Sequence, residues 1–123
     1  MIEGHLRIVM IEKATAQEYV GLKFPNLREI TDYFLMFRVT GLQSLAEMFP
    51  NLSVIRGQNL LHDYAFIIYE MVNMRDIGLQ SLTTIVRGGV RIEDNPYLCF
   101  VDTIDWSRIS SHAYIAVCLA SIS

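Results

Sequence analysis

The sequence has little of what several common classes of protein require. Its 123 residues include only two cysteines, and neither a CxxC nor an HxxxH spacing accompanies them, which excludes the usual zinc patterns. The 10 basic and 13 acidic residues give a net charge of −3 without any basic block, so the electrostatic footprint of a nucleic-acid binder is missing. No apolar run approaches the roughly 18 residues of a membrane helix. The N-terminus has neither the basic region nor the small-residue cleavage site of a signal peptide.

What is present is mainly apolar. Hydrophobic residues make up 52% of the chain and charged residues 19%, which predicts a single folded domain with a core of ordinary size. The histidines His5, His62 and His112 are spread along the chain, whereas a catalytic histidine needs a nucleophile and an orienting acid beside it. The sequence therefore predicts a chain without a catalytic, metal or cofactor site.

The two cysteines allow two interpretations. Cys99 and Cys118 could pair if the chain is secreted, and closing that loop would stabilise the fold by about 3 kcal/mol. Two unpaired, buried thiols are an equally good interpretation, because free cysteine packs as a small apolar side chain. The sequence alone leaves both states open.

Two short phrases occur twice and predict a repeating architecture. FPNL stands at Phe24–Leu27 and again at Phe49–Leu52, and GLQSL at Gly41–Leu45 and Gly78–Leu82. Repeated turn sequences between β-like runs favour a chain that coils repeatedly. Each coil then adds one strand to a flat sheet face. Flat faces of such architectures are more often binding surfaces than catalytic clefts.

Short runs rich in Ile, Val, Phe and Tyr, bounded by Gly, Pro, Asn and Asp, are predicted as strands. The longer ones are His5–Glu12, Phe34–Val39, Ala65–Val72 and Val90–Glu93, and the shorter ones lie within Leu27–Thr31, Leu52–Gly57 and Leu82–Gly88. Thr15–Val20 and Leu42–Met48 are predicted as single helical turns, too short for the crossover helix of an α/β sheet. A parallel β-helix fits this pattern best.

Aligning the four longer runs predicts two rows of side chains on one face. The rows are Val9, Phe37, Tyr69 and Glu93, and Arg7, Leu35, Ile67 and Arg91. Because strand residues alternate between faces, the opposite face carries only apolar residues and is predicted as the core: Leu6, Ile8, Phe34, Met36, Phe66, Ile68, Val90 and Ile92. The two rows have an apolar centre between charged ends, which is the composition of an interface. A second layer of the same protein covering this face is the alternative.

Several long segments then resemble one known family. They are Ile2–Leu6 (IEGHL), Phe24–Leu45, Phe49–Gly57, Tyr64–Met71 (YAFIIYEM), Arg87–Cys99 (RGGVRIEDNPYLC) and Thr103–Ile109 (TIDWSRI). These segments look like the first L domain of the insulin receptor and insulin-like growth factor receptor family. The resemblance implies a right-handed, single-stranded parallel β-helix in an extracellular receptor, with a flat sheet that binds an insulin-like peptide hormone.

The resemblance also implies a set of ligand-binding residues. Joined with Arg7 and Leu35 from the rows, the set is Arg7, Val9, Met10, Leu35, Phe37, Arg38, Leu60, Tyr64, Ile67, Tyr69, Glu70, Arg91 and Glu93. Some positions depart from the family pattern: Arg7 and Glu12 differ in type, Leu61 and His62 replace an aromatic pair, and Asp94 replaces a lysine. These departures predict a divergent, invertebrate-type member of the family and leave the identity of its peptide ligand open.

Asn51-Leu52-Ser53 is a glycosylation sequon. Asn51 either carries a glycan or serves as an unmodified turn residue. The resemblance favours the glycan, because family members often carry one at the matching position.

The ends of the chain predict a truncated product or fragment. Residues 1–109 are predicted as an L domain without the N-terminal cap with which family members begin, and 110–123 as a divergent tail. Cys99 matches a family cysteine whose usual partner would lie beyond the end of this chain.

The predicted function is non-enzymatic. The resemblance implies the hormone-binding domain of a receptor tyrosine kinase, placed at the extracellular face of the plasma membrane or secreted. Its implied partners are an insulin-like peptide, the remaining receptor domains and a second receptor protomer, with no nucleic acid and with membrane contact only through the parent receptor. The alternative is a secreted decoy receptor or a non-signalling structural L domain.

Overall fold

The chain alternates between two parallel sheets. The computed structural model describes residues 4–11, 19, 21, 23–98, 106–110 and 113–115, without the side chains of residues 107, 114 and 115. The large sheet has five strands in chain order, β1 (Leu6–Ile11), β3 (Phe34–Val39), β5 (Tyr64–Tyr69), β7 (Gly89–Glu93) and β8 (Ala113–Ile115). The small sheet has three, β2 (Glu29–Ile30), β4 (Val54–Ile55) and β6 (Thr84–Ile85). A short helix, α1 (Trp106–Ile109), precedes β8.

The register of the large sheet confirms the predicted rows. Val9 pairs with Phe37, Phe37 with Tyr69 and Tyr69 with Glu93. The second row runs in the same way, and its register pairs are Arg7 with Leu35, Leu35 with Ile67 and Ile67 with Arg91. The predicted strands are confirmed as well, with ends that differ from the prediction by up to three residues.

The core lies between the two sheets. The small sheet contributes one buried isoleucine from each strand, Ile30, Ile55 and Ile85. The large sheet contributes the predicted apolar face, of which Leu6 and Ile8 are half-buried and the rest fully buried. Trp106 of α1 closes the described core at one end and stacks on Phe66, with ring centroids 5.2 Å apart.

The repeated phrases lie directly against each other. In the FPNL copies the rings of Phe24 and Phe49 stack with centroids 5.4 Å apart. In the GLQSL copies Gly78 has φ +71° and approaches Ser44 so closely that a Cβ would lie 2.6 Å from the Ser44 hydroxyl oxygen. Glycine is therefore required at this position, both for the backbone angle and for the approach.

One residue near the end of each of the first four long strands has a left-handed backbone. We call this set the left-handed column: Met10 (φ +58°), Arg38 (φ +53°), Glu70 (φ +52°) and Asp94 (φ +58°). Strand residues normally alternate between faces, but here the left-handed residue also faces outward, and in all but the first of these strands the next residue turns into the core. Arg38 is accordingly exposed, whereas Val39 is fully buried.

The residues directly after the left-handed column are tied together by their side chains. The Val39 N–H donates to Met71 Sδ at 3.4 Å, and the Met71 N–H donates to Asn95 Oδ1 at 2.8 Å. Asn95 Nδ2 in turn donates to the Ile68 carbonyl at 3.1 Å. Since Asn95 is buried, these bonds fix the backbone where the left-handed residues strain it.

One of the two predicted helical turns is confirmed, and one predicted region differs from the structure. Leu42–Met48 contains a single helical turn, in which the Phe49 N–H donates to the Leu45 carbonyl four residues earlier at 3.0 Å. Within 110–123, predicted as a tail without family pattern, Ala113–Ile115 adds β8 to the large sheet, which the sequence did not predict. The other predicted helical turn, at Thr15–Val20, lies outside the described residues except for Tyr19. Both cysteines also lie outside them.

Replacing Asn95 by alanine should lower the free energy of unfolding by about 2–4 kcal/mol, because two buried backbone groups lose their partners. Urea unfolding followed by circular dichroism measures this. Asn73→Ala is the matched control: Asn73 Oδ1 also accepts a backbone N–H, from Gly41 at 2.6 Å, but at the surface where water replaces it. Equal losses for the two variants would contradict the assigned role of Asn95.

Candidate functional site

One face of the large sheet is open among the described residues. We call it the outer face, and it consists of the two rows and the left-handed column. Only the turn at Leu61–Tyr64 stands beside it, so the described part of the chain supplies no second covering layer. The centre of the outer face is a small apolar cluster of Tyr33, Leu35 and Ile67, which their own neighbours bury.

A shallow depression of about 400 Å³ lies over this cluster. Its floor is formed by Leu35 and Ile67, which are 6% and 7% exposed. We call it the depression, and its lining is Leu35, Phe37, Leu61, His62, Tyr64, Ile67, Tyr69 and Arg91. It is therefore an apolar basin with aromatic walls and few polar groups.

The aromatic walls hold one another in place. Phe37 and Tyr69 stack with centroids 5.5 Å apart. The Arg91 guanidinium lies 5.8 Å from the Tyr64 ring centroid and 5.5 Å from that of Tyr69, within the range of a cation–π contact. Arg91 thus links two walls of the depression.

A tight turn builds the remaining wall. Leu61 and Tyr64 exchange backbone hydrogen bonds of 3.1 and 2.9 Å, and His62 and Asp63 between them both have positive φ. Positive φ at both central residues defines the type I′ turn of a two-residue hairpin. This turn places Leu61 and His62 on the lining of the depression.

The charged residues of the outer face pair mainly with each other. Arg38 forms an ion pair with Glu70, and its guanidinium lies 5.0 Å from the centroid of the Phe37 ring. Arg91 Nε donates to a Glu93 carboxylate oxygen at 2.7 Å. Arg7 is exposed, and no ion pair to another described residue is found for it. The charges predicted to form the rim are therefore largely neutralised before any ligand arrives.

Two groups of this face have shifted pKa values. Partial burial raises the pKa of the Tyr69 hydroxyl, and the nearby carboxylates of Glu70 and Asp94 raise it further, Asp94 also through a hydrogen bond. The hydrogen bond to Glu93 raises the pKa of Arg91. Tyr69 therefore stays neutral.

Most of the predicted site residues share the outer face. Leu35, Phe37, Tyr64, Ile67, Tyr69 and Arg91 line the depression, with Arg38, Glu70 and Glu93 beside it. Val9 and Met10 lie on β1 and are 37% and 51% exposed. Leu60 is placed differently, since its side chain packs against the main core.

Some contributors to this surface were not predicted as site residues. Leu61 and His62 line the depression, and the ring of His5 stacks on Tyr33 with centroids 4.9 Å apart. Asp94 joins the left-handed column, and its negative charge raises the pKa of Tyr69. The row of Val9, Phe37, Tyr69 and Glu93 could have indicated Asp94 as a site residue. Arg38 follows Phe37 and Glu70 follows Tyr69, and Asp94 follows Glu93 in the same way.

Together these features define a class of protein: a parallel-β domain with one open sheet face. Among residues 4–11, 23–98 and the other described positions, no group of His, Cys, Asp and Glu is arranged to hold a metal ion. Comparison with known proteins then identifies the family. The receptor L domain family model matches residues 1–110, so the chain belongs to the receptor L domain family.

The chain is similar to several receptors. It is 59% identical to the insulin-like peptide receptor of Branchiostoma lanceolatum and 52% identical to the insulin-like growth factor 1 receptor of Xenopus laevis, each over 93% of this chain. It is 53% identical to the insulin receptor of Xenopus laevis over 89% of this chain. It spans only about 8% of the length of each of these relatives.

Membership of the family fixes the broad character of the chain. A receptor L domain is a ligand-binding, non-catalytic domain, and those of insulin-receptor relatives are extracellular. In the part of the chain that the structure describes, no helix is long and apolar enough to span a membrane.

Asp94→Asn should lower the pKa of Tyr69, because it removes a neighbouring negative charge and leaves a neutral acceptor for the hydroxyl. The tyrosinate absorbance in an alkaline titration, taken as a difference from Tyr69→Phe, measures the shift, and ionisation should begin at lower pH. Asp63→Asn, also at a residue with positive φ, is the control and should leave the curve in place. An unchanged pKa of Tyr69 in the Asp94→Asn variant would show that Asp94 does not contact Tyr69.

Proposed function

We propose that this chain is the ligand-binding L domain of an insulin-receptor-like receptor tyrosine kinase and that it binds an insulin-like peptide on its outer face. The observation that carries the proposal is the depression, an apolar basin with aromatic walls on an otherwise open sheet. The names of the relatives supply the class of ligand, since they include a receptor for an insulin-like peptide and an insulin receptor.

Affinity comes from the apolar centre. A helix of the peptide inserts an apolar side chain into the depression, onto Leu35 and Ile67 and against the stacked rings of Phe37 and Tyr69. Leu35 and Ile67 are already buried, so the new area comes mainly from the half-buried rings around them. Aromatic anchors around a desolvated pocket are the residues that most often dominate interface energy.

The charged residues set orientation. Arg38 and Arg91 already pair with Glu70 and Glu93, so their contacts with a ligand add little to raw affinity. They instead exclude ligands that bring like charges to the wrong place. Arg7 makes no ion pair with a described residue and offers a cation at the β1 end of the face.

The proposal extends to the architecture. The alternation of long and short strands between the two parallel sheets is what a right-handed, single-stranded β-helix produces. Residues 1–109 would form the L domain, and 110–123 would follow it as a divergent segment that contributes β8. The parent receptor would add further receptor domains, a second protomer and the membrane anchor, with this domain at the extracellular face.

Phe37→Ala should weaken binding of an insulin-like peptide by on the order of 1–3 kcal/mol, because it removes a wall of the depression and the stacking partner of Tyr69. Titration calorimetry with insulin and insulin-like growth factor 1 as probes measures the change. The unfolding midpoint should stay close to that of the parent chain, since Phe37 is only half-buried.

Phe24→Ala is the matched control. Phe24 is also a partly exposed phenylalanine, 41% exposed, but it stacks on Phe49 away from the outer face. Peptide affinity should be unchanged in this variant. Equal binding by Phe37→Ala and the parent chain would refute the proposed site, and no saturable binding of either peptide would refute the proposed function.

We also propose that Asn51 carries a glycan. Asn51 is exposed, lies just before β4 in the small sheet and so stands away from the outer face, and its Nδ2 donates to the Pro25 carbonyl at 2.7 Å. Only one of the two Nδ2 hydrogens is needed for that bond, so the other can be replaced by a sugar.

Expression through a secretory pathway should therefore yield a product whose mass falls by one glycan on amidase treatment. Asn51→Gln should abolish the difference, while Asn59→Gln, at an asparagine outside any sequon, should retain it. Mass spectrometry of the intact protein distinguishes the two. A parent chain without added mass would contradict the proposed modification.

A further inference from the structure

A second hollow lies beside the depression, one residue further along the strands. Its volume is about 480 Å³, and we call it the groove. The lining consists of Arg38, Thr40, Glu70, Val72, Asp94 and Pro96. Phe37 and Tyr69 line the depression and the residues directly after them line the groove, so the two hollows are neighbours on the outer face.

The groove has an excess of negative charge. It contains one guanidinium, that of Arg38, against the carboxylates of Glu70 and Asp94. Arg38 forms its ion pair with Glu70. Asp94 is exposed and forms no ion pair with a described residue, so the roughly four acceptor positions of its carboxylate can take new hydrogen bonds.

The groove also has an apolar side. Val72 is 42% exposed and Pro96 is exposed next to it in the lining. An aliphatic surface that leads to a carboxylate fits a lysine or arginine side chain, which lays its methylene stem on apolar atoms and keeps the charged head on a polar partner. An acidic side chain would meet Glu70 and Asp94 as like charges, and a short neutral one would leave Asp94 without a new partner.

The backbone holds this arrangement in advance of any ligand. Glu70 and Asp94 face the groove because both have left-handed backbones, with φ +52° and +58°. The buried amide of Asn95, directly after Asp94, bonds to the Met71 N–H and the Ile68 carbonyl. A carboxylate fixed in this way is preorganised, so little conformational entropy is lost when a cation binds.

We propose that the groove is a subsite for a basic side chain of the peptide partner, with Asp94 as the residue that selects the positive charge. The inference rests on the proposed peptide-binding function and adds to it a chemical requirement: the peptide carries a lysine or arginine beside the apolar group that fills the depression. Asp94 then decides which insulin-like peptides this chain accepts.

The test uses two small probes of the same shape, N-acetylarginine amide and its uncharged isostere N-acetylcitrulline amide. Each is titrated into the isotopically labelled chain, and NMR shifts of the Val72 methyls and the Thr40 amide are followed. The arginine probe should bind saturably and the citrulline probe about tenfold more weakly, because the hydrogen bonds to the carboxylate lose their charge. Asp94→Asn should remove the preference for arginine.

Asp63→Asn is the matched control, since it also removes an exposed carboxylate at a residue with positive φ but outside the groove lining. It should leave the preference for arginine intact. Equal shifts with the two probes, no shift at Val72, or an undiminished preference in Asp94→Asn would each overturn the subsite. The probe titration tests only the subsite, and the titration with insulin-like peptides tests the proposed function. Either proposal can therefore be refuted without the other.

Discussion

The left-handed conformation that recurs in the first four long strands is the constraint on which the outer face depends. Each such non-glycine residue costs about 1–2 kcal/mol relative to extended backbone. At Arg38, Glu70 and Asp94 the strain is offset because the next residue is turned into the core, where Val39 and Met71 are fully buried and Asn95 makes paired hydrogen bonds. With extended backbone at these positions, their side chains would not lie on the outer face. The outer face would then lack the left-handed column, and the groove would lose its carboxylates.

The ion pairs of the outer face are placed to organise aromatic rings. Exposed pairs of this kind contribute about 0–1 kcal/mol to stability, which is too little to explain them as supports of the fold. Arg91 shows this second role most clearly, the positioning of aromatic rings. It donates a hydrogen bond to Glu93 and lies over the rings of both Tyr64 and Tyr69. Its main effect is to hold these two walls of the depression at a fixed spacing, so that the basin is preformed.

Strict alternation of side chains along the strands could be predicted from the sequence, whereas the residues that break it could not. The rows through Leu35 and Phe37 and the apolar face through Phe34 and Met36 were correct because most strand residues are extended and their period is two. The left-handed column could not be predicted from Met10 or Arg38, since neither residue type favours positive φ. Nor does His62-Asp63 carry the glycine that usually marks a type I′ turn.

The identities of the residues in the left-handed column show that the framework does not dictate their side chains. The column contains a methionine, an arginine, a glutamate and an aspartate, all with φ between +52° and +58°. Such different side chains share one conformation only if neighbouring residues impose it, and for Arg38, Glu70 and Asp94 the buried Val39, Met71 and Asn95 are the residues that do so. The fold therefore does not require one particular side chain at these positions. Under the proposed function, their charge and size could change with the ligand at little cost to the fold, so this column, more than the apolar floor, would be the part of the face that sets specificity.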